Sequence, residues 1–124
     1  MTVALWCVIV SGVLPLLCSA LAKGAGRGFD NSRPREWLAR QEGLPARAHA
    51  AQQNSWEAFA IFSACVFAAH LAGAPQARVD FLAVAFVAAR VAYILCYVAN
   101  QATLRSLVWV IAFGLALAIF LAGV

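Results

Sequence analysis

From Thr2 to Ala22 the chain runs without a single charged side chain, and Lys23 ends the run. At 1.5 Å per residue, an α-helix of that length covers about 30 Å, the thickness of a bilayer's hydrocarbon core. In lipid every backbone N–H and C=O must find a partner within the protein, so a segment of this kind is obliged to be helical. Three further apolar stretches follow. The patterning puts spans at about 2–22, 48–73, 78–99 and 102–124, with one polar loop over 23–47. Pro15 is expected to bend the first span. No strand pattern competes, because the apolar runs are too long and do not alternate. The expected fold is all-α: an integral membrane four-helix bundle, one domain over 1–124, with short links making successive helices antiparallel.

Composition closes the alternatives. Hydrophobic residues make up 65% of the chain and charged residues 11%, against about 45–50% and about 25% in a soluble domain. A short chain cannot hide that much apolar surface from water. Ala20-Leu21-Ala22 resembles a signal-peptide cleavage site, but no basic residue precedes the apolar stretch, so an uncleaved span is expected. Cys7, Cys18, Cys65 and Cys96 each lie inside an apolar run without C-x-x-C spacing, and read as small buried hydrophobes rather than disulfides or metal ligands. No metal is expected.

The net charge of +4 is a matter of topology. Lys23, Arg27, Arg33, Arg35, Arg40 and Arg47 crowd the first loop, Arg105 lies beside the third, and only Arg78 is near the second. The first and third loops are therefore expected to be cytoplasmic and both termini non-cytoplasmic. No nucleic-acid-binding motif accompanies the charge, so no nucleic-acid partner is expected. Within the loop, Pro34 is placed to start a short amphipathic helix through Arg40, with Trp37 as an interfacial anchor and Gly43-Leu44-Pro45 as its stop.

The chemistry lies in the polar groups inside the spans. A charge at the middle of a membrane helix costs about 2.5–3.5 kcal/mol on insertion scales, so it requires a partner or a task. Glu57 lies on span two and Arg90 on span three. Counted from Ala48 and from Ala99 on oppositely directed helices, both are about 14 Å deep at helical rise. A direct Glu57–Arg90 contact is the expectation, and a purely structural ion pair is its simplest reading. Asn54 shares a face with Glu57, Tyr93 and Tyr97 share one with Arg90, and Arg105 sits in the first turn of span four. These six residues read as a polar funnel open to the cytoplasm, with Arg105 and Tyr97 at its mouth and Glu57 and Arg90 at its base. Arginines hold carboxylates bidentately, the glutamate calls for an amine, and the tyrosines and asparagine add neutral hydrogen bonds. Glutathione fits this inventory, and so do amino acids and other peptides.

The stretch Arg47-Ala-His-Ala-Ala-Gln-Gln-Asn54-Ser-Trp-Glu57-Ala-Phe59 resembles the second-helix signature of the MAPEG family, the membrane-associated proteins in eicosanoid and glutathione metabolism. Arg90-Val-Ala-Tyr93-Ile-Leu-Cys-Tyr97 and Leu104-Arg105-Ser106 resemble its third helix and the start of its fourth. The loop Phe29-Asp30-Asn31-Ser32-Arg33-Pro34-Arg35 is similar to the bacterial branch. The resemblance covers nearly the whole chain. It implies a homotrimer in a bacterial inner membrane, microsomal glutathione transferase-like, with glutathione as co-substrate between neighbouring subunits. Asn54, Glu57, Arg90, Tyr93 and Tyr97 would contact the glutathione, with Arg47 and Gln53 as further candidates, and Arg105 would stabilise the thiolate.

The implied activity is a glutathione or related thiol transferase or peroxidase. Its substrates would be lipophilic electrophiles or lipid hydroperoxides, and its surroundings membrane lipids. Two rival readings remain open. Many catalytic members carry an arginine where this chain has Ala50, and eicosanoid enzymes tend to have an aromatic where it has Ala58; a non-catalytic lipid-binding or scaffold member is therefore one alternative. A small four-helix multidrug transporter is the other, although Thr2–Ala22 lacks the acidic residue that such transporters place in the first helix.

Overall fold

A computed structural model describes residues 1–124. Five helices succeed one another: α1 (Val3–Ala25), α2 (Pro34–Ala39), α3 (Gly43–Leu71), α4 (Gln76–Val98) and α5 (Ala102–Leu121). There are no strands. Helices α1, α4 and α5 are long and apolar enough to cross a membrane. The fourth long helix, α3, is equally extended but is diluted by Arg47, His49, Gln52, Gln53, Asn54 and Glu57. The chain is thus an all-helical integral membrane protein.

Two boundaries differ from the sequence expectation. α1 runs on through Pro15 and past Lys23 to Ala25. α3 begins at Gly43, because Pro45 falls in the first turn, where its missing N–H has no helical partner to lose. What reads as a stop is therefore a start. The 29 residues of α3 span about 43 Å at helical rise, longer than a hydrocarbon core, so a polar first segment stands clear of the apolar part.

α1 packs on α3 and α4, and α5 packs on α3 and α4. One core joins all four: Cys7 and Val8 of α1, Phe62 and Val66 of α3, Val79 and Phe86 of α4, Ile119 of α5. The rings of Phe62 and Phe86 lie parallel with centroids 4.0 Å apart. Ala4, Ala69, Ala83, Ala112 and Ala116 are fully or almost fully buried between the helices; small side chains let backbones approach, which is how helices associate where lipid removes the hydrophobic drive.

The links after α3 and α4 are built alike. Gly73 (φ 70°) and Asn100 (φ 59°) adopt left-handed conformations, open to glycine and tolerated by asparagine. Ala74 N–H then bonds the Ala69 carbonyl at 3.0 Å, and Gln101 N–H the Cys96 carbonyl at 2.8 Å, the bonds of a Schellman cap. Such short, defined turns hold α3, α4 and α5 in antiparallel succession.

The basic loop is folded rather than spread on a surface. α2 begins at Pro34 as expected. Trp37, however, is not an exposed anchor: only 4% of it is accessible. It packs with Ala22, Leu38 and Ala48, meets Phe29 edge-on at 5.1 Å, and its indole N–H donates to the Arg27 carbonyl at 3.2 Å. The ring lies where a Cβ on Gly26 would stand, so glycine there lets the loop close over it. Asp30 accepts from both the hydroxyl and the amide of Ser32, which holds its carboxyl below the usual carboxylate range.

At the opposite end, the start of α1 is tied to two other helices. Ala4 N–H donates to Asp80 Oδ1 at 2.7 Å, and Thr2 Oγ1 accepts from Leu5 N–H. His70 Nδ1 lies 2.9 Å from the Val66 carbonyl, so it carries the proton, and Nε2 accepts from the Thr2 hydroxyl at 3.1 Å. Asp80→Ala leaves the Ala4 N–H without a partner and is expected to cost about 1–3 kcal/mol. Asp80→Asn, which keeps an acceptor oxygen, should retain most of the stability; thermal unfolding of the two variants in detergent checks this.

Candidate functional site

Arg90 sits on α4 with 2% of its surface exposed. Its Nη2 donates to Asn54 Oδ1 at 2.9 Å and to Ser55 Oγ at 3.3 Å. The expected direct pairing with Glu57 does not form. The one ion pair within 4.0 Å joins Arg33 and Glu36 in the exposed loop, where solvent makes it worth little. Instead Asn54 stands between the charges: its Oδ1 faces Arg90, and its Nδ2 donates to Glu57 Oε2 at 3.4 Å. The reason is helical spacing. Asn54 and Glu57 are three residues apart on one face, and the shorter, nearer amide reaches the guanidinium first.

Above Arg90 the polar residues form a stack. The Arg90 guanidinium lies 4.1 Å from the Tyr93 ring centroid. Tyr93 meets Tyr97 edge-on at 5.7 Å. The Arg105 guanidinium lies 4.3 Å from the Tyr97 centroid. Two cations thus bracket two aromatic rings along α4, each on a ring face where the π quadrupole attracts it. The turn at Asn100 makes this possible by returning α5 antiparallel to α4, which brings Arg105 level with Tyr97.

A cavity of about 60 Å³ opens beside Arg90. Asn54, Glu57 and Arg90 form its polar end; Ile61, Phe86, Trp109, Phe113 and three alanines, Ala58, Ala112 and Ala116, form the rest. Trp109 and Phe113 lie one turn apart on α5 with rings parallel at 5.5 Å. A larger cavity of about 230 Å³ lies between α1 and α4. Its wall is wholly apolar, Cys18 and Leu17 included, so it offers no group to orient a polar substrate.

The structure therefore brings all six funnel residues into one connected set, in two parts. Asn54, Glu57 and Arg90 line the cavity, while Tyr93, Tyr97 and Arg105 extend from it as the stack. Arg47 and Gln53 lie outside it. Arg47 Nε donates to the Val98 carbonyl at 3.3 Å, which ties the start of α3 to the end of α4; Gln53 is exposed. Sequence reasoning missed Ser55, Trp109 and Phe113. A buried arginine needs acceptors, which points to Ser55 next to Asn54. Trp109 and Phe113 continue from Arg105 at helical i, i+4 spacing.

The family model for MAPEG matches residues 3–124. The chain belongs to the MAPEG family. The match spans nearly its whole length and includes every residue of the site. It decides against the small multidrug transporter. No curated protein and no solved structure matches this MAPEG chain significantly. Membership points to glutathione-dependent transferase or peroxidase chemistry or to eicosanoid-related activity.

Asn54 is the joint of the site. Asn54→Ala removes one of two acceptors from Arg90 and the amide donor from Glu57, and is expected to cost about 1.5–3 kcal/mol, the range for hydrogen bonds to charged groups. Thermal unfolding in detergent measures it, with Gln53→Ala, which faces outward, as the comparison near zero.

Proposed function

We propose that this MAPEG protein is a membrane-embedded glutathione, or related thiol, transferase or peroxidase that acts on lipophilic electrophiles or lipid hydroperoxides. The observation that carries this reading is Arg90: a buried cation whose Nη2 alone is engaged, opening onto a cavity that also holds a carboxylate, Glu57. Opposite charges on one small cavity suit a zwitterionic amino-acid moiety. Arg90 would take a carboxylate of the tripeptide, Glu57 its ammonium, and the Tyr93 and Tyr97 hydroxyls its neutral groups.

Arg105 would act on the sulfur. A thiol of ordinary pKa, about 8.5, is mostly protonated at neutral pH, and the thiolate is the nucleophile. A guanidinium beside it favours the anion, and stabilising the thiolate by about 1.4 kcal/mol raises its share about tenfold while the thiol form still dominates. Arginine keeps its charge where desolvation would strip it from lysine. The lipophilic second substrate would arrive from the surrounding bilayer.

The working form we propose is a homotrimer of four-span subunits, of the bacterial, microsomal glutathione transferase-like type, in the inner membrane. Exposure supports it. Glu57 and Trp56 lie on the exposed face of α3 in the single chain, and an uncovered carboxylate at this depth would be expensive in lipid. A neighbouring subunit would cover it and complete the site. In this arrangement the basic 23–47 loop and the α4–α5 link face the cytoplasm, and both termini face away.

Two measurements on detergent-purified protein test the reading: calorimetric titration with glutathione, and turnover with a chloronitroarene or an organic hydroperoxide. Glu57→Ala is expected to weaken glutathione binding about 10- to 100-fold, the loss of a charge-assisted hydrogen bond. Arg105→Ala is expected to leave binding largely intact and lower turnover at least about tenfold, through the smaller share of thiolate. Equal losses in both variants would overturn the assigned roles. Binding without turnover would favour the non-catalytic reading, for which Ala58 on the cavity wall is the structural motive. Neither binding nor turnover would end both.

A further inference from the structure

The cavity of about 230 Å³ between α1 and α4 offers nothing to a polar substrate, yet it is not closed. Leu17 and Leu95 on its wall are 60% and 63% exposed, so it is a groove open to the surrounding lipid. We propose that this groove seats one acyl chain of an anionic phospholipid, with the lipid's phosphate on Arg47 at the groove's end. The site is separate from the thiol chemistry above and does not rest on it.

The groove lies at one depth. On α1 it runs from Leu14 to Leu21, about 10 Å of helix, and α1 ends four residues later at Ala25. On α4 it reaches Leu95, and α4 ends three residues later at Val98. It therefore falls in the leaflet on the side of the basic loop, within half of a hydrocarbon core about 30 Å thick. Its lining is apolar throughout and belongs to α1 and α4 alone. The face assigned above to a neighbouring subunit, with Glu57 and Trp56, belongs to α3, so the groove stays open to lipid in that arrangement. A tail that leaves the bilayer for the groove exchanges one hydrocarbon for another, and little is gained by that alone. The headgroup has to supply the preference.

The end of the groove carries a cation. Val98 is one turn beyond Ile94 and Leu95 on the same face of α4, and its carbonyl accepts from Arg47 Nε at 3.3 Å. That bond places the Arg47 guanidinium at the end of the groove. No carboxylate lies within 4.0 Å of it, and its two Nη groups have no hydrogen-bond partner in the chain. A guanidinium matches the oxygens of a phosphate. On α1, Gly24 follows Leu21 by three residues on the groove's side. Nothing lies within 4 Å of where its Cβ would stand, so a headgroup has room there. The surrounding charge favours an anion as well. The 23–47 loop carries six basic residues against three acidic ones, whereas Arg78 at the other end of the bundle is offset by Asp80. A headgroup of net negative charge is drawn to the basic end, and a zwitterionic one much less.

The test uses the full chain in an uncharged detergent. It is titrated with phosphatidylglycerol and with phosphatidylcholine of the same acyl chains, and bound lipid is counted by native mass spectrometry. Phosphatidylglycerol is expected to bind at least about fivefold more tightly, the worth of one basic residue at an anionic headgroup. Arg47→Gln should remove about that factor and leave phosphatidylcholine unchanged. Arg47→Lys, which keeps the charge, should retain the preference, and Arg78→Gln at the other end should change nothing. Val91→Phe puts a ring into the groove and should abolish retention of both lipids; Ile94→Phe serves if that variant does not fold. Equal affinity for the two lipids, or a preference that survives Arg47→Gln, would overturn the proposal. Lipid retention untouched by filling the groove would overturn it too, and a change in the mass of the oligomer in that variant would mark the groove as a contact between copies of the chain.

Discussion

The structure depends on where a permanent positive charge is put. Arg90 cannot shed its proton at any ordinary pH, and it lies inside an apolar bundle. Its cost is met by Asn54 and Ser55 from α3 and by the face of Tyr93 one turn along α4. These contacts bring α3 against α4 at one level. The Phe62–Phe86 stack continues the α3–α4 contact on one side; on the other, Tyr97 of α4 meets Arg105 of α5 instead. The polar site and the hydrophobic core are therefore neighbouring parts of one helix interface. A change in either alters the spacing of the other.

The two ends of the molecule are held by different means. At one end, the start of α1 is tied to α3 through His70 and to α4 through Asp80. Those bonds lock the helix ends to each other and occupy Thr2, His70 and Asp80. At the other end, Trp37 gathers the basic loop into a small core of its own, and Arg47 closes the last turn of α4. The stacked tyrosines and Arg105 stand beside that closure, and neither tyrosine hydroxyl has a partner within the chain.

How far this was legible varies from residue to residue. The equal depth of Glu57 and Arg90 follows from helical rise and opposed directions alone, and both do line the same cavity. Rise could not reveal that Asn54 would intervene, because it sets height and not the reach of a side chain. Trp37 shows the same limit. Its position beside arginines suggests an interfacial ring, whereas its burial follows from the close approach that Gly26 permits. Gly43-Leu44-Pro45 reads as the stop of the short loop helix, whereas Pro45 lies in the first turn of α3, a position that suits proline as well as a helix end does.

Hydrophobic run length and the scarcity of charge determined, without any coordinates, that this chain is helical and lives in a membrane, because lipid leaves the backbone no other way to pair its polar groups. The spacing of Asn54, Glu57, Arg90, Tyr93, Tyr97 and Arg105 likewise named the polar residues of the site, since helical periodicity fixes which of them share a face. The tertiary structure decided what those residues do to one another: that an amide separates the two charges, that two arginines bracket two rings, and that three alanines line the cavity beside a buried cation. Those outcomes turn on ångström-scale approach between helices, set by side chains such as Phe62, Phe86 and Ala116 that are distant in the chain and carry no pattern linking them.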